Sequence, residues 1–328
     1  MKPQITYFLP GLLLPEFKTM LASCTPMLIK LLSRAGKVPG PTTQMQVIHH
    51  CFQGLGEGPL QSAALAAFSQ DLINENNTDN WCFASLVECL VTHQTAYILG
   101  NDHLSLNNQE LDALKVSLAP LFLEEGLTLY DNTTLDWLCV CENNKTLVAQ
   151  DMLDVLNKDL TKLLPRGENS AYWNRLITMC QMQLQNCEVN KMRDLQHKQL
   201  LSSVWFWGMG ALPKSIQSSF DAVYTDNWVI KGLGRLAKSK VLPLPLHFND
   251  IDRSYQNILI YDDRFYKQAM NQNQEGFEDQ LVHYEQQWFE PLVKALSKLK
   301  DVEFIGGQGT TYHVNNINIK FFWRYNLK

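Results

Sequence analysis

Two kinds of apolar pattern alternate along this chain: short continuous runs, and longer stretches with an apolar residue every third or fourth position. "ITYFL" (Ile5 to Leu9) is of the first kind and is followed by a Pro/Gly-rich turn. A block that short between breakers predicts a buried strand. "TPMLIKLLSRAG" is of the second kind. Thr25 can cap it, Pro26 suits the first helical position, Leu28, Leu31 and Leu32 follow at helical spacing, and Gly36 ends it. A Gly/Pro-rich loop (Lys37 to Thr43) precedes another helix, and "GEGPLQSAALAAFSQDL" predicts a third with Pro59 near its start.

"NENNTDN" (Asn74 to Asn80) is a polar break and a candidate boundary. Beyond it, "WCFASLVECLVTHQTAYILG" mixes strand and helix signals. A short strand, a helix from about Asn108 to Glu125 and another strand follow, then the strand "TLDWLCVCE". This alternation predicts a compact α+β subdomain. Cys139-Val-Cys141 is read as sending one thiol to the core and the other away from it. A long helical stretch from Asn169 to Lys198 places Trp173, Leu176, Met179 or Cys180, and Gln183 or Leu184 on one side, with methionines as core fillers. "WFWGMG" (Trp205 to Gly210) reads as a strand that must bend at Gly208 and Gly210. Then come a glycine-containing helix ("VIKGLGRLAKSK"), the strand "NILIYDD", a helix through "EGFEDQLVHYEQQWFEPLVKALSKLK", and a final strand pair ending "FFWRY".

The 328 residues are 45% hydrophobic and 19% charged, which suits one large domain or two smaller ones. A net charge of -5 argues against a nucleic-acid partner. No apolar run approaches membrane-spanning length, so no membrane partner is expected. Pro10 and Pro15 interrupt the apolar N-terminus and no small-residue cleavage site closes it, so a strand and loop are expected there, not a signal peptide. Eight scattered cysteines include no C-x-x-C pair, which predicts reduced thiols in a cytoplasmic protein. The Asn-x-Thr triplets at Asn76, Asn132 and Asn144 are then chance.

Few residues carry candidate chemistry. Asp262 and Asp263 end a strand, where an α/β protein places its site, and paired carboxylates there can hold a metal or act as acid and base. His247, Asp250 and Asp252 share the loop "HFNDID", and His93 and His103 flank a turn around Asn101 and Asp102; neither spacing names a metal. His49 and His50 are adjacent, point in different directions and mark no site. Gly232 and Gly234 beside Lys231, Arg235 and Lys238 can cradle an anion or form a solvated basic helix face. "GGQGTT" (Gly306 to Thr311) reads as a hairpin turn before a phosphate loop. The chain has no G-x-S-x-G, Walker or H-E-x-x-H motif.

The order of the central motifs is similar to the archaeal-type cofactor-independent phosphoglycerate mutases. Val189, Asn190 and Arg193 fit their "hPvN..R...G" element, and Trp205, Trp207, Gly208, Gly210 and Pro213 fit "N.iW.WG.G..P". "KGLGRLA" resembles the helix that follows in those enzymes. The bacterial RpfE-type regulatory proteins resemble the chain more closely still, in "LAPLFLEEGLTLY", "TLDWLCV" and the late Asp-Asp. "TPMLIKLLSRAG" resembles a helix of the alkaline phosphatase superfamily, to which the mutases belong. The resemblance implies an α/β fold: an alkaline-phosphatase-like sheet flanked by helices (1–80 and 166–328), with an inserted α+β subdomain (81–165).

The departures bear on function. Where the mutases end their first strand in Asp-Gly, this chain has Pro10-Gly11; the Asn before "W.WG.G" is Ser202, and no Asp-x-Asp-Ser nucleophile stretch occurs. The resemblance therefore implies a mutase-like regulatory or anion-binding protein without the mutase metal and nucleophile set. Asn190, Arg193, Trp205, Trp207, Gly208 and Gly210 would line a pocket for a phosphorylated or acidic small molecule, with Arg193 supplying a planar fork. No cofactor is expected. A metal-dependent phosphatase or mutase would need Mn or Zn on Asp262, Asp263, His247 or Asp250. A protein-interaction module, whose partner would be another protein, is the third reading.

Overall fold

The computed structural model describes residues 2–92, 95–100, 104–130, 135–142 and 144–320. His93, Asn101, Asp102, His103, Asn132 and the terminal "FFWRY" lie outside the described residues. The strands are β1 (Gln4–Phe8), β2 (Gly36–Pro39), β3 (Asn80–Val91), β4 (Ala96–Gly100), β5 (Leu127–Tyr130), β6 (Asp136–Cys141), β7 (Ser203–Gly210), β8 (Ala222–Tyr224), β9 (Lys240–Leu242), β10 (Asn257–Tyr261), β11 (Asp301–Ile305) and β12 (Thr310–Val314). The α-helices are α1 (Lys18–Cys24), α2 (Pro26–Arg34), α3 (Gln44–Cys51), α4 (Ser62–Ser69), α5 (Asn108–Glu124), α6 (Met152–Val155), α7 (Ser170–Asn186), α8 (Glu188–Leu195), α9 (Trp228–Leu236), α10 (Arg264–Met270), α11 (Gln274–Tyr284) and α12 (Glu290–Ala295).

The fold is mixed α/β, with a seven-stranded sheet in the order β2-β12-β11-β1-β10-β8-β9. β1 runs parallel to both β10 and β11, while β12 and β2 add an antiparallel edge. One face is apolar. Ile5, Tyr7, Ile258, Ile260, Val302 and Phe304 meet Leu28, Leu31 and Leu32 of α2, Phe277, Leu281 and Tyr284 of α11, and Leu292 of α12. The other face carries a polar row at the β1–β11–β12 pairing. The Thr6 hydroxyl donates to Glu303 (3.0 Å), and His313 lies between Asp301 (3.0 Å) and Glu303 (3.7 Å). Gln46, His49 and His50 of α3 line an open cleft of about 680 Å³ over this row.

Three expectations for this part need correction. The loop before α3 begins as strand β2, which pairs with β12. Thr25 stands at the N-cap of α2, but its hydroxyl turns back to the Leu21 carbonyl (2.6 Å). Glu285, from a π-helical turn (Glu285–Phe289), instead accepts from the N–H groups of Met27 (2.5 Å) and Leu28 (3.3 Å). A carboxylate there meets both the orphan donors and the positive helix end. Gly232 and Gly234 sit inside α9, not at its N-terminus. A Cβ on Gly234 would stand 2.8 Å from Val241 Cγ2, so that glycine lets the helix approach β9. "GGQG" is the turn between the antiparallel strands β11 and β12, as its glycines predict.

The second sheet is antiparallel, in the order β4-β3-β6-β5, with β7 on β3. The mixed signals after Asn80 resolve into strands β3 and β4. α5 is started by a capping box between Asn107 and Glu110, and it buries Leu111, Leu114, Leu118 and Phe122. α7 buries Trp173, Leu176, Ile177, Cys180 and Leu184. The predicted long helix breaks at Cys187, whose ψ of 149° is extended, and α8 restarts from it. Phe122, Trp137, Trp173 and Phe206 form an aromatic chain on one sheet face. Cys139 and Cys141 both lie on that face, with Cys82 opposite Cys139, because residues two apart in a strand share a side. The expectation that they face opposite ways is corrected on that ground.

The chain divides into two compact units, Met1–Leu55 with Lys214–Lys328, and Gly56–Pro213. The inserted unit is thus wider than the expected 81–165. β7 pairs with β3, and α4 and α7 pack on that same sheet, which draws the residues on either side of 81–165 into it.

Gly11 follows β1 with φ of +87°, and a Cβ there would fall 2.6 Å from the Tyr266 backbone N. Gly11→Ala should therefore lose about 2 kcal/mol or more of stability, from left-handed strain plus overlap with backbone. Urea unfolding checks this; an unchanged midpoint would contradict the close approach.

Candidate functional site

In a parallel sheet the carboxyl ends of the strands are where side chains from several strands converge. Here β10 runs into Asp262 and Asp263, beside the end of β1; the Asp262 N–H donates to the Phe8 carbonyl (3.3 Å). Both carboxylates are buried, at 4% and 8% exposure. Asp262 accepts from Arg264 Nε at both oxygens (3.0 and 2.8 Å) and from its Nη2 at 2.6 Å. The Tyr284 hydroxyl donates to Asp262 Oδ2 at 2.5 Å. Asp263 accepts from Asn227 Nδ2 (2.8 Å) and pairs with Lys267 (3.1 Å). Asn227 also caps α9 through the N–H groups of Val229 and Ile230.

The electrostatics are those of a closed knot. Burial works against the charge on Arg264, but the hydrogen bonds and charge of Asp262 outweigh it and hold the guanidinium firmly protonated. Burial first, and then the Asp262 charge, push the Tyr284 hydroxyl well above its ordinary range, so it stays a donor. A hard cation needs carboxylate oxygens with uncompensated charge. These oxygens carry a guanidinium, a phenol, an amide and an ammonium, and the set does not fit a divalent metal.

The remaining metal candidates stand apart from this knot in their bonding. His247 is exposed and bonds Gln287 (2.8 Å), and Asp250 is exposed on a short 3₁₀ turn. Asp252 is held below the usual carboxylate range by the backbone N–H and hydroxyl of Ser254. Among the described residues no group of three His, Cys, Asp or Glu converges as a metal site.

The residues expected to line an anion pocket lie in the second unit, and their polar atoms are engaged internally. Arg193 is 1% exposed. Its Nε donates to the Gln199 carbonyl (2.7 Å), Nη2 to the Leu104 carbonyl (2.6 Å), and Nη1 to Glu110 (2.9 Å). The planar fork expected to meet a ligand meets a capping-box carboxylate and two carbonyls. Asn190 donates to the carbonyls of Leu184 (2.9 Å) and Leu201 (2.7 Å) and accepts from Leu201 N–H (3.0 Å). Trp205 donates to the Gln150 carbonyl (3.0 Å). Trp207 stacks on Phe83 (4.4 Å) and donates to Ser85 (2.8 Å), which donates to Asp136 (2.5 Å). Gly208 has φ of +64°, and a Cβ would meet Ser62 and Phe83, while Gly210 lies against Gln61. The string is a bent strand closed by its own neighbours.

Sequence reasoning missed Arg264, Tyr284, Lys267 and Asn227 as partners of the two aspartates. Arg264 and Lys267 were visible as the next turn after Asp-Asp. Tyr284 and Asn227 come from distant segments and left no local signal.

No protein-family model matches the chain. It is 25% identical over 163 residues to the 2,3-bisphosphoglycerate-independent phosphoglycerate mutase of Methanosarcina mazei, covering 47% of this chain and 40% of the mutase. It is 23% identical over 210 residues to that of Methanosarcina barkeri, covering 61% of this chain and 50% of the mutase. This chain is a homologue of the cofactor-independent phosphoglycerate mutases. The matches span half or less of the length of these curated relatives. The homologue shares its fold with the PH0037 protein of Pyrococcus horikoshii, with a TM-score of 0.53 at 12% identity, over 96% of this chain and 87% of that one. Among the described residues no helix is long and apolar enough to cross a membrane.

Arg193→Ala would strand Glu110 and two carbonyls and should cost about 3 kcal/mol in chemical denaturation. Burial opposes ionisation of Glu110, but the Asn107 N–H, Arg193 and Lys198 outweigh it and lower its pKa. A lowered carboxylate adds stability at neutral pH that is lost as pH falls through the folded value. That acid loss should shrink in Arg193→Ala. A variant with wild-type stability and acid slope would contradict the assigned role.

Proposed function

We propose that this homologue does not perform mutase phosphoryl transfer and acts as a cytoplasmic regulatory protein of RpfE type that binds an acidic or phosphorylated small molecule. The observation that supports it is the occupancy of Asp262 and Asp263. Arg264 and Lys267 supply tethered positive charge on the two carboxylates best placed for a metal, and a second cation there would be repelled. In-line phosphoryl displacement relies on cations to offset charge on the attacking and leaving oxygens, and on an activated nucleophile where a covalent intermediate forms. Pro10 stands where the resemblance calls for a metal-binding aspartate, and it offers no ligand atom. The anionic ligand class is supported by the homology to enzymes whose names specify phosphoglycerate.

The purified chain should leave 3-phosphoglycerate unconverted with or without Mn²⁺ in a coupled assay. The same compound should raise Tm in a thermal-shift titration. Turnover that depends on Mn²⁺ would overturn the non-catalytic reading. Absence of a shift with 3-phosphoglycerate would remove the anion-binding part.

A further inference from the structure

The second unit gathers three thiols on one face of its sheet: Cys82 on β3, and Cys139 and Cys141 on β6. Cys82 lies directly across from Cys139. Across the diagonal, Cys141 Sγ lies 3.3 Å from Cys82 Sγ. Cys82 and Cys139 are fully buried, and Cys141 is the most accessible of the three at 6%. Closing two sulfurs from contact to the disulfide length of about 2.05 Å takes a shift of little more than ~1 Å. The pairing of β3 with β6 runs unbroken from Asn80 to Ser85 and sets Cys141 across from Asn80, so Cys82 and Cys141 meet as diagonal neighbours on a continuous ladder.

We propose that Cys82 and Cys141 form an oxidative modification site, a dithiol that a peroxide converts to a disulfide bridging β3 and β6. Cys141 attacks hydrogen peroxide first. Its S–O bond forms, the O–O bond breaks, and the departing hydroxide takes the thiol proton and leaves as water. Cys82 then attacks the Cys141 sulfenic sulfur. The S–S bond forms, the S–O bond breaks, and the second water leaves with the Cys82 proton. Two thiols lose two electrons, and one peroxide becomes two waters.

The surroundings set the pace of this chemistry. The hydrogen bond with Cys82, followed by burial, pushes the Cys141 thiol well above its ordinary range; for Cys82 the hydrogen bond with Cys139 is the largest influence. The reactive form is the thiolate, so the pair reacts slowly and is no catalytic redox couple. It answers sustained oxidation. The bridge would close a covalent loop between residues 59 positions apart, holding β4, α5 and β5, which limits the unfolded chain and raises Tm. This inference is independent of the proposed regulatory role.

The test uses the full chain in its native state. It is treated with hydrogen peroxide, quenched, unfolded, alkylated with iodoacetamide and mapped by mass spectrometry. The expected result is that two of the eight thiols escape alkylation, the intact mass falls by two hydrogens, and fragmentation links Cys82 to Cys141. Dithiothreitol should reverse all three. Cys139→Ala should still form the link, and Cys141→Ala should not. The wild-type map decides the matter even where a variant fails to fold. Eight alkylated thiols, a Cys82–Cys139 link, or sulfinic acid without a link would each overturn the proposal.

Discussion

A carboxylate buried at the end of a parallel strand must be given a positive partner or lose its charge, and much of the first unit is arranged around that demand. β1 and β10 end side by side, so Asp262 emerges where backbone closes around it. Arg264 returns from the first turn of α10 to take both oxygens, and Tyr284 reaches the same carboxylate from the last turn of α11. Gly11 permits the close approach of the β1 end to the α10 backbone. The π-helical turn begins one residue past Tyr284 and places Glu285 on the N-terminus of α2. Asp262 thus joins β1 through its N–H and α10 and α11 through its carboxylate, and the turn that follows α11 carries the cap of α2.

The second unit solves a similar problem with the opposite sign. Arg193 is a buried cation, and it is matched by Glu110 and two carbonyls. Because Glu110 also closes the capping box of α5, the ion pair connects α5 to α8. Leaving either member unpaired would cost more than the pair gains, which is why such pairs resist piecemeal change. Asn190 does comparable work one turn earlier, spanning the carbonyls of Leu184 and Leu201. Residues that read as ligand-binding chemistry are here the joints between helices.

The strands and helices were legible because the apolar period changes visibly along the chain. "ITYF" is buried at every core position of β1, and the spacing of Leu111, Leu114 and Leu118 marks α5. The wider extent of the inserted unit was not legible, since it depends on β7 pairing with β3 across more than a hundred residues. The Asp262-Asp263 position was found from strand-end logic. Its closure was not, because Tyr284 and Asn227 arrive from other elements and only the fold brings them together. The Trp-x-Trp-Gly-x-Gly string was conspicuous in sequence for the reason it is useful in structure. Trp207 needs Phe83 and Ser85 beside it, and Gly208 needs Ser62 close above.

A buried carboxylate can be neutralised by a bound dication or by a tethered side chain, and the choice has chemical consequences. A dication keeps coordination positions for a substrate oxygen and lowers the pKa of bound water. A guanidinium offers only hydrogen-bond donors in a fixed plane and never deprotonates. Arg264 spends Nε and Nη2 on Asp262 and still leaves its side chain 41% exposed. At this strand end the tethered guanidinium takes the neutralising role, and part of it stays at the surface as a permanently charged donor. A donor fixed in that way is the physical feature on which the anion binding proposed above would draw, since its orientation is set by Asp262 before any ligand arrives.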